Sequence, residues 1–156
     1  MLKLIMQINL QRLLPLALVS VLVSTNVRAL ANTEAVRCSE DDAKLAEDSV
    51  DVLPDWDAVA KFYDRFRQCD DGGIAEGLSD SIGKLLARER PEMDVLIRVA
   101  RSRRGMERFV LRHVNETLSN DDLSAISEKL PARCERAAKH LCRDISSAAR
   151  RALTAP

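Results

Sequence analysis

Beyond residue 31, apolar side chains return every three or four positions. No stretch alternates apolar with polar as a half-buried strand would. Trp56, Val59, Tyr63 and Phe66 form one such stripe, with Phe62 beside it. Ile74, Leu78, Ile82, Leu85 and Leu86 form a second. Met93, Leu96, Ile97 and Ala100 form a third, and Met106, Phe109, Val110, Val114 and Leu118 a fourth. The pattern predicts an all-α protein, an irregular bundle of six or seven short helices, and no sequence repeat points to a solenoid.

Punctuation between the stripes supports this. Ser39 before Glu40, Asp41 and Asp42 reads as a capped helix start running to about Val50, with acids at the positive end of the dipole. Ser119 before Asn120, Asp121 and Asp122 reads the same way, for a helix carrying Leu123, Ile126 and Leu130. Pro91 is expected to open the third stripe at a tolerated first-turn position. The fourth is expected to continue through His113 and Glu116. Pro131 interrupts, and a last helix is expected to reach Leu153 with Cys134, Ala138, Leu141, Ile145 and Ala148 inward.

Residues 1–31 read differently. Lys3 and Arg12 precede an apolar run, Leu13 to Val23, and Ala29-Leu30-Ala31 fits a small-x-small cleavage site. Spanning a bilayer takes about 20 apolar residues, more than this run supplies. We expect a cleaved signal peptide, a mature start at Asn32 and a single domain over 32–156, placed in the periplasm or secreted, with no membrane span.

Export changes the meaning of the four cysteines, Cys38, Cys69, Cys134 and Cys142. An even count in an oxidising compartment implies disulfides. Zinc is the rival, but no C-x-x-C pair exists and only His113 and His140 could complete a site. Of three possible connectivities we expect Cys38–Cys69 with Cys134–Cys142. The second pair sets a condition. Eight residues of continuous helix hold Cα atoms ~12 Å apart, and a disulfide needs them within ~7 Å. The last segment must therefore begin in a non-helical conformation.

The formal charge of zero hides a polarity. Residues 32–81 carry 14 acids and 5 bases, whereas residues 82–156 carry 10 acids and 16 bases. The halves either neutralise one another by packing or leave an acidic and a basic face. Arg98, Arg101, Arg103, Arg104, Arg108 and Arg112 crowd one expected helix–loop–helix, a pattern suited to carboxylates and phosphates. An acidic protein or an anionic envelope component is the expected partner, and nucleic acid is not.

The second concentration of chemistry is Cys69-Asp70-Asp71-Gly72-Gly73-Ile74-Ala75-Glu76. Asp70, Asp71, Glu76 and Asp80 could be read as calcium ligands, but such loops alternate their oxygens as D-x-D-x-D-G. Paired acids could also cut glycosidic bonds. The plainer reading has Cys69 in a disulfide, Asp70 or Asp71 capping the next helix, Gly72 and Gly73 turning, and Glu76 near the positive dipole. Gly77 is not required by that reading. Ala75, Ser79 and Gly83 form a small-residue stripe that predicts close helix packing.

"CDDGGIAEGLSDSIGKLLA", "FVLRHVNETLSNDDLSAI" and a late "RC…LC" together resemble an uncharacterised family of small exported bacterial proteins with a C-D-D-G-x-I-A-E-G signature. The resemblance runs from about Trp56 to Ile145. The family more often has Ala at the place of Gly73, Tyr at Leu78 and Pro at Glu135. The resemblance implies export and transfers no catalytic role.

No G-x-S-x-G, G-x-G-x-x-G or P-loop occurs, and His113 lacks the partner histidine of H-E-x-x-H. We therefore expect no cofactor and no resident metal. The expected function is a non-enzymatic binding or inhibitory module of the cell envelope, with Asp70, Asp71, Glu76, Arg101, Arg103 and Arg104 as candidate binding residues. The alternative is an envelope-polymer hydrolase using Asp70, Asp71 and Glu76, with His113 assisting.

Overall fold

The computed structural model describes residues 37–155, so the expected signal peptide and its cleavage site lie outside the described residues. Seven α-helices span Glu40–Val50 (α1), Trp56–Phe66 (α2), Gly72–Ala87 (α3), Met93–Arg101 (α4), Met106–Arg112 (α5), Asn120–Glu128 (α6) and Lys139–Leu153 (α7). Short 3-10 turns cover Arg67–Cys69, Leu130–Arg133 and Arg136–Ala138. There is no strand among the described residues. The fold is all-α, as the periodicity predicts.

The starts follow capping chemistry. Ser39, Asp55, Asp71 and Ser119 are extended N-cap residues whose side chains accept a hydrogen bond from the helix that follows. Helix α3 begins two residues earlier than its apolar stripe, so Gly72 and Gly73 lie inside its first turn rather than before it. Gly72 has a φ of +52°, which suits glycine there. Pro91 sits outside α4. Glu92, at φ 48°, makes the bend instead, and the Trp56 indole N–H donates to the Pro91 carbonyl at 2.7 Å.

Helix α3 lies at the centre. It packs on α1 and α6, while α6 packs on α7 and α2 on both α1 and α4. Trp56, Leu78, Ile82, Leu85, Leu96, Ile126 and Ile145 are fully buried at these contacts. Two glycines permit them. A Cβ on Gly77 would come within 2.9 Å of a Val50 methyl, which explains Gly77: α1 crosses α3 there. Gly83 is similarly occupied by the end of Leu118. The Ser81 hydroxyl donates to the Val50 carbonyl at 3.0 Å, fixing the same crossing.

Both expected disulfides are present. Cys38 and Cys69 have Cα atoms 4.8 Å apart and tie the start of α1 to the end of α2. Cys134 and Cys142 have Cα atoms 6.4 Å apart. The condition on the second is met, because Cys134 is extended and the regular helix starts only at Lys139. Cys134 thus lies outside the last helix on which the periodicity had it. In a chain-entropy picture the 31-residue and 8-residue separations correspond to about 3.5 and about 2.5 kcal/mol.

Candidate functional site

Asp70 follows Cys69, so the first disulfide places it. It is Asp71 and not Asp70 that caps α3. The Asp70 side chain turns inward and is 2% exposed. Oδ2 accepts from the Arg112 guanidinium and lies 3.3 Å from His113 Nε2. Oδ1 is buried and has no hydrogen-bond partner. Burial opposes ionisation of Asp70, but the hydrogen bond and charge of His113, and then Arg112, outweigh it and hold the carboxyl below its usual range.

His113 does not stand on a helix with Glu116. Helix α5 stops at Arg112, and His113 is its C-cap residue. Asn115 ends the helix: its Nδ2 donates to the Arg112 carbonyl at 2.9 Å, and its Oδ1 accepts from the Thr117 N–H at 2.9 Å. This turn points the imidazole inward, 2% exposed and edge-on to Phe109, and leaves Glu116 exposed. His113 Nδ1 meets Ser79 Oγ at 3.0 Å. An ionised Asp70 can only accept, so Nε2 carries a proton. With a neutral imidazole, the Ser79 hydroxyl donates to Nδ1. With an imidazolium, Nδ1–H donates to Ser79, whose own proton turns to the Ala75 carbonyl, 2.9 Å away.

Ser79 was legible only as a small residue on α3. Nothing local marks it as the partner of a histidine 34 positions away. The Ser79–His113–Asp70 chain has the connectivity of a nucleophile, a base and its orienting acid. Ser79, however, is 2% exposed in mid-helix. The adjoining cavity is about 150 Å³, below the 300–1,000 Å³ typical of ligand pockets. Its direct effect is structural: it joins the loop after Cys69 to α3 and α5.

Asp71 and Glu76 line the same cavity as Asp70 and His113. Asp71 is the N-cap of α3, with Oδ1 accepting from the Gly72 N–H at 2.8 Å. Glu76 is exposed on the first turns of α3. No group of three or more His, Cys, Asp or Glu side chains able to hold a metal ion occurs among the described residues.

The arginines separate into two sets. Arg98 pairs with Asp57 at 3.5 Å and Arg112 with Asp70. Arg103 Nε donates to both oxygens of Asp64, at 2.9 and 2.8 Å, while its NH1 reaches the Val99 carbonyl and Ser102. These three join the acidic half to the basic half. Arg101, Arg104 and Arg108 form no ion pair among the described residues. They border an open hollow of about 700 Å³ floored in part by Ala100 and Leu111. Tyr63 donates to the Arg104 carbonyl at 2.7 Å and holds the loop between α4 and α5 in place.

No family model, no curated protein and no solved structure matches this chain.

Proposed function

We propose that residues 32–156 form an exported, non-enzymatic binding module of the cell envelope, of the inhibitory kind, that engages an acidic protein through Arg101, Arg104 and Arg108. One observation carries the reading. Three of the six clustered arginines are consumed by internal carboxylates, and the other three border a hollow, form no ion pair among the described residues and outnumber the one acid in its lining, Glu107. Guanidinium forks on a loop held by Tyr63 and Arg103 suit carboxylates. The leader-like start, the resemblance to exported bacterial proteins and the two disulfides support placement in an oxidising compartment outside the cytoplasm. The test is capture from envelope extract by the oxidised protein and by Arg101→Glu/Arg104→Glu/Arg108→Glu. Salt-sensitive capture of an acidic protein by the wild type alone is expected. Equal capture by the variant rejects the arginine face. Arg103 is left intact because it holds the loop.

A hydrolase is favoured by one observation: Asp70, Asp71, Glu76 and His113 all line one cavity that shares no residue with the arginine hollow. The chemistry weakens it, since Asp70 is held ionised and has no proton to give a leaving group. Turnover of cell-wall polymer that persists in Asp71→Asn/Glu76→Gln would remove those two acids from any mechanism.

A further inference from the structure

We propose that the arginine hollow of one molecule is occupied by α1 of a second copy of this chain. The inference rests on the arginine-face reading above and names a partner for that face.

Pairing with Arg98, Arg103 and Arg112 reaches Asp57 and Asp64 on α2 and Asp70 in the loop after it. It does not reach α1. Glu40, Asp41, Asp42, Glu47 and Asp48 form no ion pair among the described residues. One molecule therefore presents an acidic helix and a basic hollow, and the two do not satisfy each other within it.

Helix α1 also has apolar anchors. Leu45 is 43% exposed and Val52, just past its end, 70% exposed. They are two of the three large apolar side chains exposed among the described residues. Asp41, Leu45 and Asp48 follow one another at spacings of four and three, so they lie along one side of α1, and Val52 follows in the turn past its end. The hollow has Ala100 and Leu111 in its lining, with Arg101, Arg104 and Arg108 around them outnumbering its one acid, Glu107. Charges alone would give a weak contact, and an apolar side chain seated between the arginine stems adds area that excludes water. The loop is already fixed by Tyr63 and Arg103, which lowers the ordering cost of binding.

Such a contact responds to salt, because screening shortens from ~30 Å at 0.01 M to ~3 Å at 1 M. Sedimentation velocity of the oxidised protein across concentration tests it. At low salt the mass should rise with concentration, and high salt should return it to monomer. Arg101→Glu/Arg104→Glu/Arg108→Glu and, separately, Asp41→Lys/Asp48→Lys should each weaken self-association at least about tenfold. An equimolar mixture of the two variants should recover it, because each then offers the charge the other needs. All five substituted side chains are exposed and form no ion pair among the described residues, and far-UV circular dichroism of each variant should show the helices retained. A monomer at every concentration and salt overturns the proposal, as does self-association that both variants keep. A monomeric wild type that still captures an acidic envelope protein overturns this inference alone. Loss of both overturns the arginine-face reading with it.

Discussion

At single positions, contact distance decides sign. Gly73 and Gly77 are both glycines inside α3, and replacing either by Ala gains about 1 kcal/mol of helix propensity. A Cβ on Gly73 meets nothing within 4 Å, so Gly73→Ala should raise the urea midpoint by the equivalent of about 0.5–1 kcal/mol. A Cβ on Gly77 meets two methyls of Val50, a stiff β-branched neighbour, at 2.9 and 3.1 Å. Overpacking costs about 1–3 kcal/mol, which exceeds the propensity gain, and Gly77→Ala should lower the midpoint. Asp70 makes a second prediction. Its carboxyl is depressed in the folded state, so its stabilising contribution is complete above the unfolded value of ~3.9 and is lost as pH falls through the lower, folded value. Asp70→Asn should cost about 2 kcal/mol at neutral pH and flatten the acid limb of a stability profile measured by denaturant titration below about pH 4.

Among the elements, the two disulfide clips differ in reach. The Cys38–Cys69 clip encloses α1 and α2, whereas Cys134–Cys142 encloses only the 3-10 turn Arg136–Ala138 and the first turn of α7. Cys38→Ser/Cys69→Ser should therefore lower the melting temperature more than Cys134→Ser/Cys142→Ser, in line with about 3.5 against about 2.5 kcal/mol. A larger loss from the second pair would show that the first loop is already ordered when unfolded. Helix starts at Glu40 and Asn120 were legible because the Ser39 and Ser119 caps are local signals. The end of α5 was not. Apolar periodicity continues through Val114 and Leu118, both buried, yet Asn115 breaks the helix with a side-chain turn. That break decides the candidate site, because it turns His113 onto Ser79 and Asp70. These contacts, 34 and 43 positions apart, are set by how α3 and α5 pack, which no local pattern encodes.

For the whole molecule, the polarity of charge written in the chain is only partly cancelled. Pairs between the halves differ in weight. Arg98 and Asp57 are both more than half exposed at 3.5 Å, so Arg98→Ala should change stability by less than about 1 kcal/mol. Arg103 is three-quarters buried, shares its Nε–H between both oxygens of Asp64 and donates to a carbonyl of α4, so Arg103→Ala should cost more, about 1.5–3 kcal/mol by chemical denaturation. The same comparison explains why clustered arginines in a sequence overstate a binding face: position alone does not tell a structural guanidinium from an available one. One further feature reaches across the molecule. Trp56 is the chain's single tryptophan, entirely enclosed, with its indole bonded to the Pro91 carbonyl in the connection between α3 and α4. The protein thus contains a single indole fluorophore, at the junction of α2 with that connection, which can be excited apart from Tyr63 at the red edge of the absorption band. Its emission should move to the red when that junction opens and stay unmoved when a partner settles on the arginines. One spectrum would then separate a substitution that damages the scaffold from one that removes only an interaction.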